Sequence, residues 1–251
     1  IEEIERVGHK VVIIGTCKEA PEYTVGSDEF AKAAQARNIP FFCSAKINSQ
    51  NIVELLSSAK ADIAISMNWL TIIGESVIKC FKYGILNIHP GDLPRYRGNA
   101  CPNWAIINGE ERVGVTIHFM EPQALDSGRI ICQEYIGLDN TTTIGDIYEK
   151  LYEIVPLMCS RALSIVCRGM IEGKEQVERG MRCYPRKPCD ARIDWNASCE
   201  KICRLIRASG KPFSGAYTYI QNRKMIVEKA SFYFLKEDFY AIPGQIVNVN
   251  R

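Results

Sequence analysis

Gly84-Ile85-Leu86-Asn87-Ile88-His89-Pro90-Gly91-Asp92-Leu93-Pro94-Arg95-Tyr96-Arg97-Gly98-Asn99 is the stretch on which the reading of this 251-residue chain turns. Gly84 to His89 reads as a short buried strand, mostly apolar and bounded by Gly and Pro. Side chains alternate along a strand, so Asn87 and His89 leave from the same face. They stand at its C-terminal end, where open α/β sheets bind ligands. Pro90 and Pro94 stop any regular continuation, and Gly91 and Gly98 allow tight turns. An amide and an imidazole side by side, ahead of a stiff loop, can stabilise an oxyanion and move a proton. Read alone, Asn-x-His is equally a polar strand end before a capped loop.

Strand and helix patterns alternate on the N-terminal side of this stretch. Ile1 to Val7 reads as the end of a helix. Strands are expected at Val11–Gly15, Pro40–Cys43 and Asp62–Met67. Helices are expected after Ser27, which can serve as a cap, and at Asn51–Ala59 and Ile73–Phe81. This spacing predicts a Rossmann-like α/β fold, a mostly parallel sheet with helices on both faces. On the C-terminal side, Pro102–Asn108 suggests a short helix. Arg112–Met120 alternates, with Val113, Val115, Ile117 and Phe119 on one face and Gly114, Thr116 and His118 on the other. His118 reads as a structural, hydrogen-bonded histidine. Leu125-Asp126-Ser127-Gly128 is a turn before a further strand, Arg129–Ile136. Thr143 with Asp146 has the spacing of a capping box. The helix after it carries Ile147, Leu151, Ile154, Val155, Met158, Leu163 and Val166, and Pro156 should kink or divide it.

Composition excludes several classes. Hydrophobic residues make up 47% and charged residues 24%, the balance of a globular protein. No apolar run approaches the roughly 20 residues of a membrane helix. The start, Ile1-Glu2-Glu3-Ile4-Glu5-Arg6, has no signal-peptide pattern, and a cytoplasmic location without membrane contact is expected. The eleven cysteines are odd in number, scattered, and without a Cys-x-x-Cys pair. They read as reduced thiols, and no metal site is expected. Residues 181–251 carry 13 Lys and Arg against 6 Asp and Glu, while residues 1–180 carry 18 against 23. The basic part can meet nucleic acid or the phosphates of a smaller substrate, or it is a solvated face.

Asn87-Ile88-His89-Pro90 followed by Leu93-Pro94-Arg95-Tyr96-Arg97-Gly98 resembles the signature of the folate-dependent formyltransferases. Pro102 to Glu110, Val113 to His118 and Leu125 to Gly128 stand where that family has similar segments. The resemblance implies a catalytic trio of Asn87, His89 and Asp126. It implies 10-formyltetrahydrofolate as formyl donor and a primary amine as acceptor. Met67, Asn68, Trp69 and Leu70, together with Gly91, Asp92 and Leu93, would line the folate site. Gly91-Asp92 departs from the Ser-Leu or Gly-Tyr of many members.

The resemblance further implies a catalytic domain at residues 1–172, a linker at 173–182, and a small open barrel of the oligonucleotide-binding type at 183–251. Strands of that barrel are expected around Met225–Val227 and Gln245–Val249. The family begins with one more strand and most of a helix ahead of residue 1, so such a segment is expected outside this numbering. The barrel is expected to be shortened. Pro102 to Glu110 is more similar to the formyltransferase half of the lipid-A-modifying bifunctional enzyme, which acts on a nucleotide-linked amino sugar. The loop Cys17 to Thr24 is acidic, where enzymes that formylate initiator methionyl-tRNA carry a basic one. A sugar nucleotide is therefore the expected acceptor. Methionyl-tRNA is the alternative, and another amine or hydrolysis of the formyl donor is also open. A non-catalytic folate- or nucleotide-binding module is the competing class. The sequence leaves the oligomeric state open, a homodimer included.

Overall fold

The computed structural model describes residues 1–17, 19, 25–122, 124–169, 173–177, 180–233 and 240–249. Elements follow in the order α1 (Glu2–Arg6), β1 (Ile14–Thr16), α2 (Ser27–Ala36), β2 (Phe41–Cys43), α3 (Gln50–Ser58), β3 (Ala64–Met67), α4 (Glu75–Ile78) and β4 (Ile85–His89). Then come β5 (Tyr96–Gly98), α5 (Cys101–Asn108), β6 (Arg112–Phe119), β7 (Ile130–Gly137) and the long α6 (Ile144–Cys167). The rest is β8 (Met181–Cys183), a 3-10 turn at Pro188–Ala191, α7 (Cys199–Ser209), β9 (Ala216–Ile220) and β10 (Arg223–Val227).

The central sheet is mixed rather than mostly parallel. Its order is β3-β4-β6-β7, with β3 and β4 parallel and the other two pairings antiparallel. The short link between β6 and β7 leaves no room for the crossover that a parallel pairing needs, so those strands run antiparallel. β1 and β2 pair in parallel as a separate ladder. The core gathers β4, β6 and β7 against α5 and α6. A second cluster packs α3 and α4 against the start of β4. Burial of such apolar faces is the main favourable contribution to folding.

Several local expectations needed correction. Gly26, not Ser27, is the N-cap of α2, and the Glu19 carboxylate accepts the Ser27 backbone N–H at the first helical position. The expected helix Ile73–Phe81 is one turn of α-helix, Glu75–Ile78, followed by Cys80 and Phe81 amides bonded to the third residue before them. The capping box of Thr143 and Asp146 is formed, and α6 runs on through Pro156 undivided. Its buried stripe, including Ile147, Leu151, Val155, Met158 and Val166, repeats at helical spacing.

In the C-terminal part, α7 packs beside the β9–β10 hairpin, with Ile193, Ile206 and Ala216 buried between them. No closed barrel is formed among the described residues, and Gln245–Val249 carries no strand. The two parts are joined by polar contacts. Asn103 Nδ2 donates to the Ala208 carbonyl at 2.8 Å, and Trp104 Nε1 donates to the Tyr184 carbonyl at 2.9 Å.

Candidate active site

The polar face of the sheet is organised by strand register. Ser66, Asn87 and His118 lie side by side across β3, β4 and β6. The next row outward is His89, Thr116 and Gln133, across β4, β6 and β7. The alternation of β6 put Thr116 and His118 on one face, and the pairing brings that face to Asn87 and His89. Asp126 arrives from the turn between β6 and β7.

These side chains form one cluster, with the histidines buried and Asn87 and Asp126 half-buried. Asp126 Oδ2 accepts the Gly98 backbone N–H at 2.8 Å and lies 3.7 Å from His89 Nδ1. Its Oδ1 lies 3.5 Å from His118 Nε2 and 3.4 Å from Asn87 Nδ2. Asn87 Nδ2 is also 3.2 Å from His118 Nε2. His89 and His118 are 5% and 2% exposed, so the charges here are little screened by water.

The tautomers follow from the backbone. His89 Nε2 donates to the Tyr96 carbonyl at 2.6 Å, which leaves Nδ1 as the basic nitrogen, facing Asp126. His118 Nδ1 donates to the Phe119 carbonyl at 2.7 Å, which leaves Nε2 able to accept from Asn87. Burial pushes His89 below the ordinary histidine value, opposed by the Asp126 charge and the Tyr96 carbonyl. For Asp126 burial is the largest influence and acts upward. The neighbouring His118 and His89 rings and the Gly98 amide together outweigh it and hold the carboxyl below its usual range. A neutral imidazole beside an ionised carboxylate can take up and pass on a proton.

Around the cluster the loop after β4 is tied down. Thr116 Oγ1 donates to the Gly91 carbonyl at 2.7 Å, and Gln133 Nε2 donates to the Leu93 carbonyl at 3.1 Å. A Cβ on Gly91 would stand 2.3 Å from both His89 Nε2 and the Tyr96 oxygen, so the absence of a side chain there lets His89 reach that carbonyl. The Cys101 thiol lies 3.7 Å from His89 Nε2. A hydrogen bond with Cys183, together with burial, holds Cys101 protonated.

Of the residues expected from sequence to meet folate, Met67 and Leu70 are exposed apolar side chains, 42% and 53% accessible. Met67 pairs with Ile88, so this loop starts beside Asn87 and His89. Asn68 adopts a left-handed backbone with φ 54°. Trp69 donates its indole N–H to Thr71 at 3.0 Å and packs near Phe42. Leu93 is buried, and Asp92 turns toward Gln133 and Arg112 at 3.4 and 3.8 Å. Sequence reading missed the place of His118 in the cluster. Its position on the polar face of an alternating strand was the available signal. The Ser66 hydroxyl, one strand from Asn87, is buried and has no hydrogen-bond partner among the described residues. Among the described residues no three His, Cys, Asp or Glu side chains are grouped to hold a metal ion, and no helix is long and apolar enough to cross a membrane.

Comparison with known proteins bears on the family and the fold. The profile described as "Formyl transferase" matches residues 4–163, and "Formyl transferase, C-terminal domain" matches residues 186–251. A curated relative, the bifunctional polymyxin resistance protein ArnA of Wigglesworthia glossinidia brevipalpis, is 34% identical over 220 residues. That alignment takes in 87% of this chain but 33% of the relative, so the chain spans about a third of that protein's length. Among solved structures, a sugar N-formyltransferase from Shewanella sp. FDAARGOS_354 has a TM-score of 0.64 at 19% identity, covering 91% of this chain and 100% of the other. Methionyl-tRNA formyltransferase from Clostridium thermocellum has a TM-score of 0.65 at 17% identity, covering 89% and 94%. At these identities both structures speak for the fold alone.

Proposed function

Because the chain belongs to the formyl transferase family, we propose that it transfers a formyl group from 10-formyltetrahydrofolate to a primary amine, with Asn87, His89 and Asp126 as the catalytic residues. The observation that carries this reading is the contact of those three side chains at the end of β4. When bound, the folate supplies the formyl carbon. The exposed Met67 and Leu70 beside Asn87 suit one flat heterocyclic ring, and they would hold it with the Trp69 loop.

Asn87 donates a hydrogen bond to the formyl oxygen as it gains negative charge, a contribution of about 2.7 to 4 kcal/mol for such donors. Its present contacts, at 3.2 and 3.4 Å, are long enough for one hydrogen to turn to that oxygen. His89 Nδ1 takes the amine proton as the new C–N bond forms, with Nε2 staying on the Tyr96 carbonyl, and gives it to the folate nitrogen as the bond from that nitrogen to the formyl carbon breaks. Asp126, ionised, stabilises the imidazolium that forms.

The acceptor we favour is a nucleotide-linked amino sugar. The resemblance of Pro102 to Glu110 to the formyltransferase half of the lipid-A-modifying bifunctional enzyme supports it. The acidic loop Cys17 to Thr24, which also favoured it in the sequence, lies mostly outside the described residues. Methionyl-tRNA is the second reading, favoured by the basic excess of residues 181–251.

Salt separates the two. An enzyme that neutralises many phosphates loses affinity steeply as salt rises, and one that meets a diphosphate does not. Formylation of a 4-amino sugar nucleotide from about 50 to about 300 mM salt, with and without tRNA, is expected to change little. Strong inhibition by tRNA that salt relieves would promote the tRNA reading. An absence of turnover with either acceptor would leave another amine, hydrolysis of the formyl donor, or a folate- or nucleotide-binding module.

A further inference from the structure

The segment between the two parts of the chain lies across both loops that carry the site. Lys174 exchanges backbone hydrogen bonds with Ile130, at 2.7 and 2.8 Å, just beyond the Asp126 turn. Met181 donates its N–H to the Arg95 carbonyl at 2.7 Å, and β8 pairs in parallel with β5. Between these anchors sits Gln176, half-buried.

Both ends of its carboxamide are used. Nε2 donates to the carbonyls of Asp126 and Gly128, at 3.0 and 2.7 Å. Oε1 accepts from Arg97 Nη2 at 2.8 Å. Two carbonyls demand a donor and a guanidinium demands an acceptor, so the chemistry fixes which way the amide points. Arg97 immediately precedes Gly98, whose N–H holds the Asp126 carboxylate. The contacts thus close a ring: Asp126 side chain to Gly98, Arg97 to Gln176, and Gln176 back to the Asp126 main chain. Asp126 itself has φ 47°, a left-handed conformation that residues other than glycine seldom adopt and that surrounding contacts must maintain. No other side-chain hydrogen bond to the carbonyls of Asp126 or Gly128 is formed among the described residues.

We propose that Gln176 is a positioning residue for formyl transfer: it ties the Asp126 turn to the Arg97–Gly98 strand and so fixes the carboxylate against His89 and His118. This rests on the reading of Asn87, His89 and Asp126 as catalytic. Gln176 touches no reacting atom, and it acts through Asp126. A carboxylate displaced by an ångström costs rate and not donor binding, because catalysis depends on that geometry more steeply than affinity does.

The test compares steady-state kinetics of the full chain with Q176A and Q176E. Q176A is expected to lower kcat about ten- to hundredfold with the KM for the formyl donor within about twofold. Its acid limb should move to lower pH, as in D126N, because His89 loses the nearby charge. Q176E is nearly isosteric but sets a carboxylate against two carbonyls, so it should rescue nothing. It carries the comparison should Q176A not fold. The double variant Q176A/D126N should be no slower than D126N, since residues acting through one another are not additive. An active parent whose Q176A and Q176E variants keep kcat within twofold and an unmoved acid limb overturns the inference alone. Full additivity with D126N overturns it as well. A parent without formyl transfer overturns the reading of the site and this inference with it.

Discussion

His89 gives its Nε2 hydrogen to the Tyr96 carbonyl, 2.6 Å away, and that single bond decides which ring nitrogen keeps a free lone pair. Nδ1 is left to face Asp126 at 3.7 Å. The order of charges follows: a neutral imidazole, kept so by burial, beside a carboxylate kept ionised by its neighbours.

Replacing Asp126 by Asn should remove the negative charge that raises the His89 pKa. The acid limb of the kcat/KM profile is expected to move to lower pH, because His89 then stays unprotonated further into acid. Turnover should fall by about 10²-fold or more through loss of support for the imidazolium. A pH–rate profile of D126N checks both, and an unmoved limb would remove Asp126 from the proton path.

Asn87→Ala should lower kcat by about 10²- to 10³-fold, the range for loss of one oxyanion donor. Tetrahydrofolate binding, read by calorimetry, should change little. A variant within a few-fold of the parent would show that Asn87 does not meet the oxyanion.

His118→Gln tests the second histidine. His118 accepts from Asn87 through Nε2 while Nδ1 is held by Phe119, so it orients the amide. Glutamine can keep one of those two bonds. The expected result is a fall in kcat of about tenfold with folate affinity retained, the size seen when groups that orient active residues are changed. Equal kcat in the two proteins would make His118 a core residue only.

Stability should depend on pH through His89. Its folded pKa lies below the ordinary 6.5, so between those values the unfolded chain binds a proton that the folded chain does not. The contribution of the neutral, buried ring is therefore fully present above about 6.5 and is lost as pH falls toward the folded pKa. Asp126 is lowered from 3.8, so its contribution is present above that value and is lost only as pH drops through the folded pKa. Thermal melts from about pH 8 to about pH 5 should show a declining Tm below about 6.5 that His89→Gln flattens. An equal decline in the variant would assign the effect to other groups.

The sequence by itself determined what depends on neighbours in the chain. Strand alternation placed Asn87 with His89, and Thr116 with His118, because side chains reverse at every residue. Spacing alone marked the Thr143–Asp146 box, which needs only the first turn of a helix. The tertiary structure decided what depends on register and on turns. That His118 stands beside Asn87 follows from the antiparallel pairing of β4 with β6, which nothing in either strand specifies alone. Asp126 reaches the cluster through a left-handed turn held by Gly98 and Gln176, residues 28 and 50 positions away along the chain. The mixed sheet and the hydrogen bond from His89 to Tyr96 belong to the same class. Contacts between distant segments are set by how apolar faces pack and by which backbone groups remain to be satisfied. Those constraints close only when the whole chain is folded.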